Sequence, residues 1–125
     1  RKALFNFAEE MNCGKLALGH HMDDAIETLM MNMMYNGITS SLPPTLSMFS
    51  GRLHMIRPLI LLEKKEIDKY AEIRRFPAEV KRCPYGEDTV RIKAREMIKQ
   101  MTSGSSAVKK SIFRSMSNIH KEYLP

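Results

Sequence analysis

Cysteine is scarce in this sequence, with only Cys13 and Cys83 among 125 residues. Two thiols build no disulfide framework, so a reducing, cytoplasmic setting is expected. Long hydrophobic runs are missing as well. No stretch approaches the roughly 18–20 apolar residues that cross a membrane, and no membrane partner is expected. Arg1–Met11 is charged and amphipathic, so no secretory leader is visible. No internal repeat appears, which excludes a solenoid. Clusters of metal-ligating side chains are sparse too: one lies at residues 20–24, and His54 and His120 stand alone.

What is present fits a folded, soluble domain with one core. The chain is 43% hydrophobic and 27% charged, well away from disordered compositions. Its eleven methionines fall mostly at positions that read as core. The net charge of +6 is unevenly placed. Residues 1–88 carry 12 basic and 12 acidic side chains. The surplus therefore sits in residues 89–125, on Arg91, Lys93, Arg95, Lys99, Lys109, Lys110, Arg114 and Lys121. Such asymmetry suits an acidic partner, most simply a nucleic-acid backbone. A solvated helical surface would look the same.

Periodicity orders the elements. Leu4, Phe5, Ala8 and Met11 predict an amphipathic helix over 1–11, closed by Asn12 and Gly14. Lys15–Gly19 reads as a short buried strand. Ile26, Leu29, Met30, Met33 and Met34 form one stripe of a helix over 23–35, with Asp23, Asp24 and Glu27 near its positive end. A proline- and serine-rich loop follows, with a short strand at 45–49 and another at 53–57. A helix over 63–75 presents Ile67, Tyr70, Ala71 and Arg74 on one side. Residues 78–80 suit a strand, and Cys83–Gly86 a turn. Asp88 suits the cap of a helix over 89–101, whose apolar face is Val90, Ala94, Met97, Ile98 and Met101. After a hinge at 102–106, a last helix runs to about 119 on Val108, Ile112, Met116 and Ile119. Strands alternating with helices predict an α/β fold with a partly parallel sheet and a helical C-terminal tail. The division expected is an α/β domain over 1–88 and a basic helical tail over 89–125.

The stretch LALGHHMDDAIET, Leu16–Thr28, lies where a strand gives way to a helix. In open α/β sheets, ligands bind beyond the carboxyl ends of strands. Three readings of its polar residues compete. His20, His21, Asp23 and Asp24 are ligand types for zinc, manganese or iron, but adjacent turn residues rarely all point inward. A structural reading makes one aspartate a helix cap and one histidine an interior residue. A third reading is a nucleotide pocket, with Gly19 admitting close backbone approach. The residues alone do not separate these.

The order of motifs adds information. GHHMDDAIET, then LPPTLSMFSGRLHMIRPL, then EKKEIDKYAE, FP and the turn CPYGEDT closely resembles the tRNA 2-thiocytidine synthetase (TtcA-type) family of the PP-loop ATPase superfamily. The resemblance spans roughly residues 1–100. It implies part of a Rossmann-like, adenine-nucleotide alpha-hydrolase-like parallel sheet. It also implies ATP-dependent thiolation: a tRNA base carbonyl is adenylated, pyrophosphate leaves, and sulfur replaces the activated oxygen. Gly19 and His20 would line the ATP pocket. Asp23 and Asp24 would be catalytic, facing the phosphate, Mg²⁺ or the base. Cys83 would match a ligand of the family's iron–sulfur cluster. Arg91, Arg95, Lys99, Lys109, Lys110 and Arg114 would contact tRNA phosphates, and a sulfur donor protein would be a further partner.

Departures from the pattern matter. The family's phosphate loop and Cys-x-x-Cys pair would lie upstream of residue 1, and Cys83 is followed by Pro84, Tyr85 and Gly86 with no second thiol. Cys13 matches no family ligand and reads as a small buried residue. The chain is therefore expected to be a C-terminal portion of such an enzyme, inactive alone, with weak ATP binding and no cluster. A truncated sheet would leave an edge near Leu16–Leu18, suited to a homodimer or domain swap. The alternatives are another PP-loop adenylating activity (lysidine synthesis or amidotransfer) and a non-catalytic nucleic-acid-binding module.

Overall fold

The computed structural model describes residues 2–77 and 89–124. The strand expected at 78–80, the turn with Cys83 and the cap Asp88 lie outside the described residues. Helix α1, Lys2–Glu10, buries Ala8. Strand β1, Lys15–Ala17, leads to helix α2, Met22–Met31. Strands β2, Thr45–Met48, and β3, Leu53–Ile56, form a hairpin. Helices α3, Lys64–Ile73, α4, Thr89–Thr102, and α5, Ser106–Ser115, complete the set.

The sheet order is β1-β3-β2. Strand β3 pairs in parallel with β1, Lys15 opposite His54, and antiparallel with β2, Thr45 opposite Ile56. Leu53 and Met55 point to the buried face, and His54 and Ile56 to a half-buried one, as the two-residue strand period requires. The expected α/β class and partly parallel sheet are both present.

The core sits on α2. Met22, Ile26 and Ile98 are buried together, with Met30, Ile112 and Phe113 packed around them. Helices α4 and α5 thus cover α2 through Ile98 and the pair Ile112–Phe113. Complete burial of Ile26 contributes about 1.5–3 kcal/mol.

Several expectations need correction. Strand β1 is not buried: Lys15 and Ala17 are exposed and Leu16 is half-buried, because β3 flanks it on one side only among the described residues. Cys13 is exposed, not interior. The stripe on α2 breaks at Met33, which is 49% exposed. There the helix widens into a π turn over Asn32–Asn36, and the extra residue per turn rotates Met33 off the core face. Gly37, at φ 61°, ends it in the left-handed conformation. On α4 only Ala94 and Ile98 of the expected face are buried, while Met97 and Met101 are exposed. Helix α5 stops at Ser115 rather than near 119. The hydroxyls of Ser115 and Ser117 donate to the carbonyls of Ile112 and Arg114 there and compete with continued helix. Tyr70 of α3 and Arg74, which follows that helix, are exposed. Among the methionines, Met22 and Met55 are the buried ones. A domain with this little core leaves the rest partly or wholly in solvent.

Candidate functional site

The carboxyl ends of β1 and β3 lie side by side, because the two strands are parallel neighbours. Gly19 and His20 follow β1, and Arg57 follows β3. The N-terminus of α2 opens on the same edge. Among the described residues, a Cβ built on Gly19 would meet no atom within 4 Å, so none of them demands glycine there and that side is open to a ligand. His20 is half-buried, and its Nδ1 accepts from Arg57 Nε at 3.4 Å.

The two aspartates do different work. The Asp24 carboxylate turns back on its own helix, accepting from the His21 backbone N–H at 2.9 Å, the reciprocal half of a capping box. Asp23 reaches outward. Its Oδ2 accepts from the Lys64 N–H, at the first turn of α3, at 2.7 Å. Its Oδ1 accepts from Lys109 Nζ, on α5, at 2.6 Å. Burial pushes the Asp23 pKa up, but the hydrogen bonds from Lys109 and Lys64 and the charges of Lys109 and His21 outweigh it. The carboxyl titrates below the ordinary aspartate value. The Met22 N–H donates to the Leu62 carbonyl at 2.9 Å, which fixes the segment before α3 against the start of α2.

Two further carboxylates anchor the tail helices. Glu27 is buried, with its Oε1 2.7 Å from Arg95 Nε and its Oε2 3.9 Å from Arg91 Nη1. Glu63 is 2% exposed and caps α3 in a capping box, where its N–H donates to the Glu66 carboxylate at 2.8 Å, and its own carboxylate accepts from Ser106 Oγ at 3.2 Å. Lys65 also contacts Ser106.

The structure thus brings Gly19, His20, Asp23 and Asp24 to one edge, and Lys109 joins them through Asp23. Arg91 and Arg95 meet Glu27 instead, while Lys99, Lys110 and Arg114 are exposed. Cys83 lies outside the described residues. Among the described residues no group of three or more His, Cys, Asp and Glu side chains stands ready to hold a metal, and no helix is long and apolar enough to cross a membrane. A separate cavity of about 550 Å³, lined by Phe5, Cys13, Phe49 and Arg52 among others, sits at the opposite, amino end of β1 and β3.

Sequence reasoning missed Arg57, Glu63 and Glu27 as site-building residues. All three lay inside quoted motifs, Arg57 in IRPL, Glu27 in GHHMDDAIET and Glu63 at the head of EKKEIDKYAE, but their partners His20, Arg95 and Ser106 are remote in sequence. An arginine directly after an apolar strand was the one local signal.

Comparison with known proteins bears on this edge. The tRNA-cytidine(32) 2-sulfurtransferase of Geobacter sulfurreducens is 34% identical over 126 residues, covering 99% of this chain and 49% of that protein. Its counterpart from Marinobacter nauticus is 38% identical over 125 residues, covering 99% and 41%. The chain therefore spans about half the length of the relatives it matches. Among solved structures, the U34-tRNA thiolase NcsA from Methanococcus maripaludis with its [4Fe-4S] cluster superposes with a TM-score of 0.77 at 25% identity, covering all of this chain and 42% of that one. The PP-loop domain matches residues 1–98, a span that takes in β1, the turn after it, Asp23, Asp24 and Arg57, and on that match the chain belongs to the PP-loop domain family.

Proposed function

We propose that this chain is part of an ATP-dependent tRNA sulfurtransferase that forms 2-thiocytidine. The observation that carries the reading is the open carboxyl edge of β1 and β3, with Gly19, His20 and Asp23 on it, in a PP-loop domain whose relatives are tRNA-cytidine 2-sulfurtransferases. An amide-like C2 oxygen is a poor leaving group. Its attack on the α-phosphate of ATP expels pyrophosphate and makes an adenylate ester, and a sulfur nucleophile then displaces AMP. The open side at Gly19 admits the nucleotide. His20 contacts it, and Asp23 holds Lys109 beside the reacting groups. Asp24 acts by fixing the helix start.

Mg²⁺ would enter with the nucleotide. It is commonly held by one or two carboxylates plus phosphates and water, so the want of a three-ligand cage among the described residues does not conflict with it. A cluster is different: the described residues offer one thiol, Cys13, on the opposite end of the sheet. Cys83 is the residue proposed as cluster ligand. The exposed Lys99, Lys110 and Arg114 are the proposed tRNA contacts, with Arg91, Arg95 and Lys109 contributing where their ion pairs leave donors over. A sulfur donor protein, a cytoplasmic setting and association through the β1 edge complete the reading.

The test is genetic and chemical. Deleting the gene that encodes this chain and digesting the host's tRNA should abolish 2-thiocytidine in mass spectra. An unchanged 2-thiocytidine level would overturn the reading, and loss of lysidine instead would favour the other adenylating chemistry.

A further inference from the structure

Arg57 stands one residue past β3 and is only 6% exposed. A guanidinium stays charged in any protein setting, so its buried donors must find acceptors. Its Nε faces His20 Nδ1 at 3.4 Å, Nη1 donates to the Pro43 carbonyl, and Nη2 lies 3.3 Å from Met55 Sδ. Its backbone N–H donates to the Pro44 carbonyl at 2.8 Å. Pro43 and Pro44 have no N–H of their own to donate, and both of their carbonyls accept from this one residue. Arg57 therefore joins three segments: the turn after β1, the Pro-Pro loop and the end of β3.

The contact with His20 constrains chemistry. A guanidinium has only donors, so the atom it faces must offer a lone pair. Nδ1 of His20 is then bare and the ring hydrogen sits on Nε2. A hydrogen on Nδ1 would set two donors against each other. We propose that Arg57 is a positioning residue that holds His20 in the Nε2–H tautomer and ties that ring to the Pro-Pro loop. His20 then meets a ligand as a hydrogen-bond donor, suited to a phosphate oxygen. It is neither a base nor a metal ligand through Nε2. The tautomer follows from the protein's own geometry; the donation to a phosphate rests on the nucleotide-site reading.

The test uses the whole chain, ¹⁵N-labelled, with long-range ¹H–¹⁵N spectra of the imidazoles and His20→Gln to assign the signal. His20 should show a bare Nδ1 and a protonated Nε2, and the Arg57 Nε–H should exchange slowly. A protonated Nδ1, or a fast-exchanging Arg57 Nε–H, overturns the proposal without any variant. In Arg57→Lys, which keeps the charge but lacks the planar fork, the single tautomer should give way to a mixture. A pure Nε2–H form in the folded variant overturns the role of Arg57. Titrating the full-length enzyme that carries this chain with MgATP separates the two readings. A shift of the His20 Nε2 signal supports donation to the nucleotide. A static signal overturns that donation and leaves the tautomer result to stand by itself.

Discussion

Lys109 Nζ lies 2.6 Å from Asp23 Oδ1, joining α5 to the first turn of α2 between residues 86 positions apart. Both side chains are largely shielded, with 21% and 17% exposure. The contact has a definite pH signature. The folded-state pKa of Asp23 is lowered, so its stabilisation is fully present above the unfolded value of about 3.9 and fades as pH falls through the folded value. Asp23→Asn should cost about 1–3 kcal/mol at neutral pH. The gap from wild type should close in strongly acid solution. Urea unfolding at several pH values measures it, and a gap that widened with acid would refute the assignment.

Glu27 and Arg95 make the second link between α2 and the tail. Arg95→Met removes the 2.7 Å partner of a buried carboxylate. Losing one member of a buried pair costs about 3–5 kcal/mol. Arg95 is 43% exposed, so water offsets part of the loss and about 2 kcal/mol is expected. Chemical denaturation should show it as a lower midpoint with an unchanged slope.

The cations proposed to meet tRNA divide by the same logic. Replacing Lys99, Lys110 and Arg114 together with alanine should weaken tRNA binding. The slope of log affinity against log salt should become shallower by about 2–3, since each phosphate contact contributes about 0.7–0.9. Arg91→Ala and Arg95→Ala should change stability more than this slope. Filter binding across a salt series reads both, and equal slopes in all variants would remove the tail from the RNA interface.

Ile26 tests the core. It is fully buried between Met22 and Ile98, so Ile26→Ala should cost about 2–5 kcal/mol by transfer and cavity terms together. A loss under about 1 kcal/mol would mean that α4 and α5 collapse into the space.

Legibility in the sequence followed distance along the chain. The turn after β1 could be read because glycine, histidine and aspartates adjoin one another. Helix ends could be read where a cap lies within four residues, as at Asn12, which follows α1 in the left-handed conformation. Arg57 meets His20 from 37 residues away, and Arg95 meets Glu27 from 68, and no local pattern records such meetings. The basic tail shows the cost of this blindness. Arg91, Arg95 and Lys109 read as a free cationic surface, yet each faces a carboxylate on α2. Met33 misled for a different reason: the period of 3.6 held only until the helix changed its pitch.

The sheet also sets an order of assembly. Strand β3 meets β2 across a short left-handed turn, with φ of 51°, 56° and 88° at Phe49, Ser50 and Gly51. It meets β1 only after α2, its π turn and the whole of β2 have been looped out. Closing the longer loop carries the larger entropy cost, and non-local pairing slows folding. The hairpin therefore forms first and serves as the template on which β1 docks. Leu46→Ala, in the hairpin, should slow folding, whereas Leu16→Ala, in β1, should mainly speed unfolding. The edge that carries Gly19 and His20 is, on this view, the last part of the sheet to be completed and the first to open.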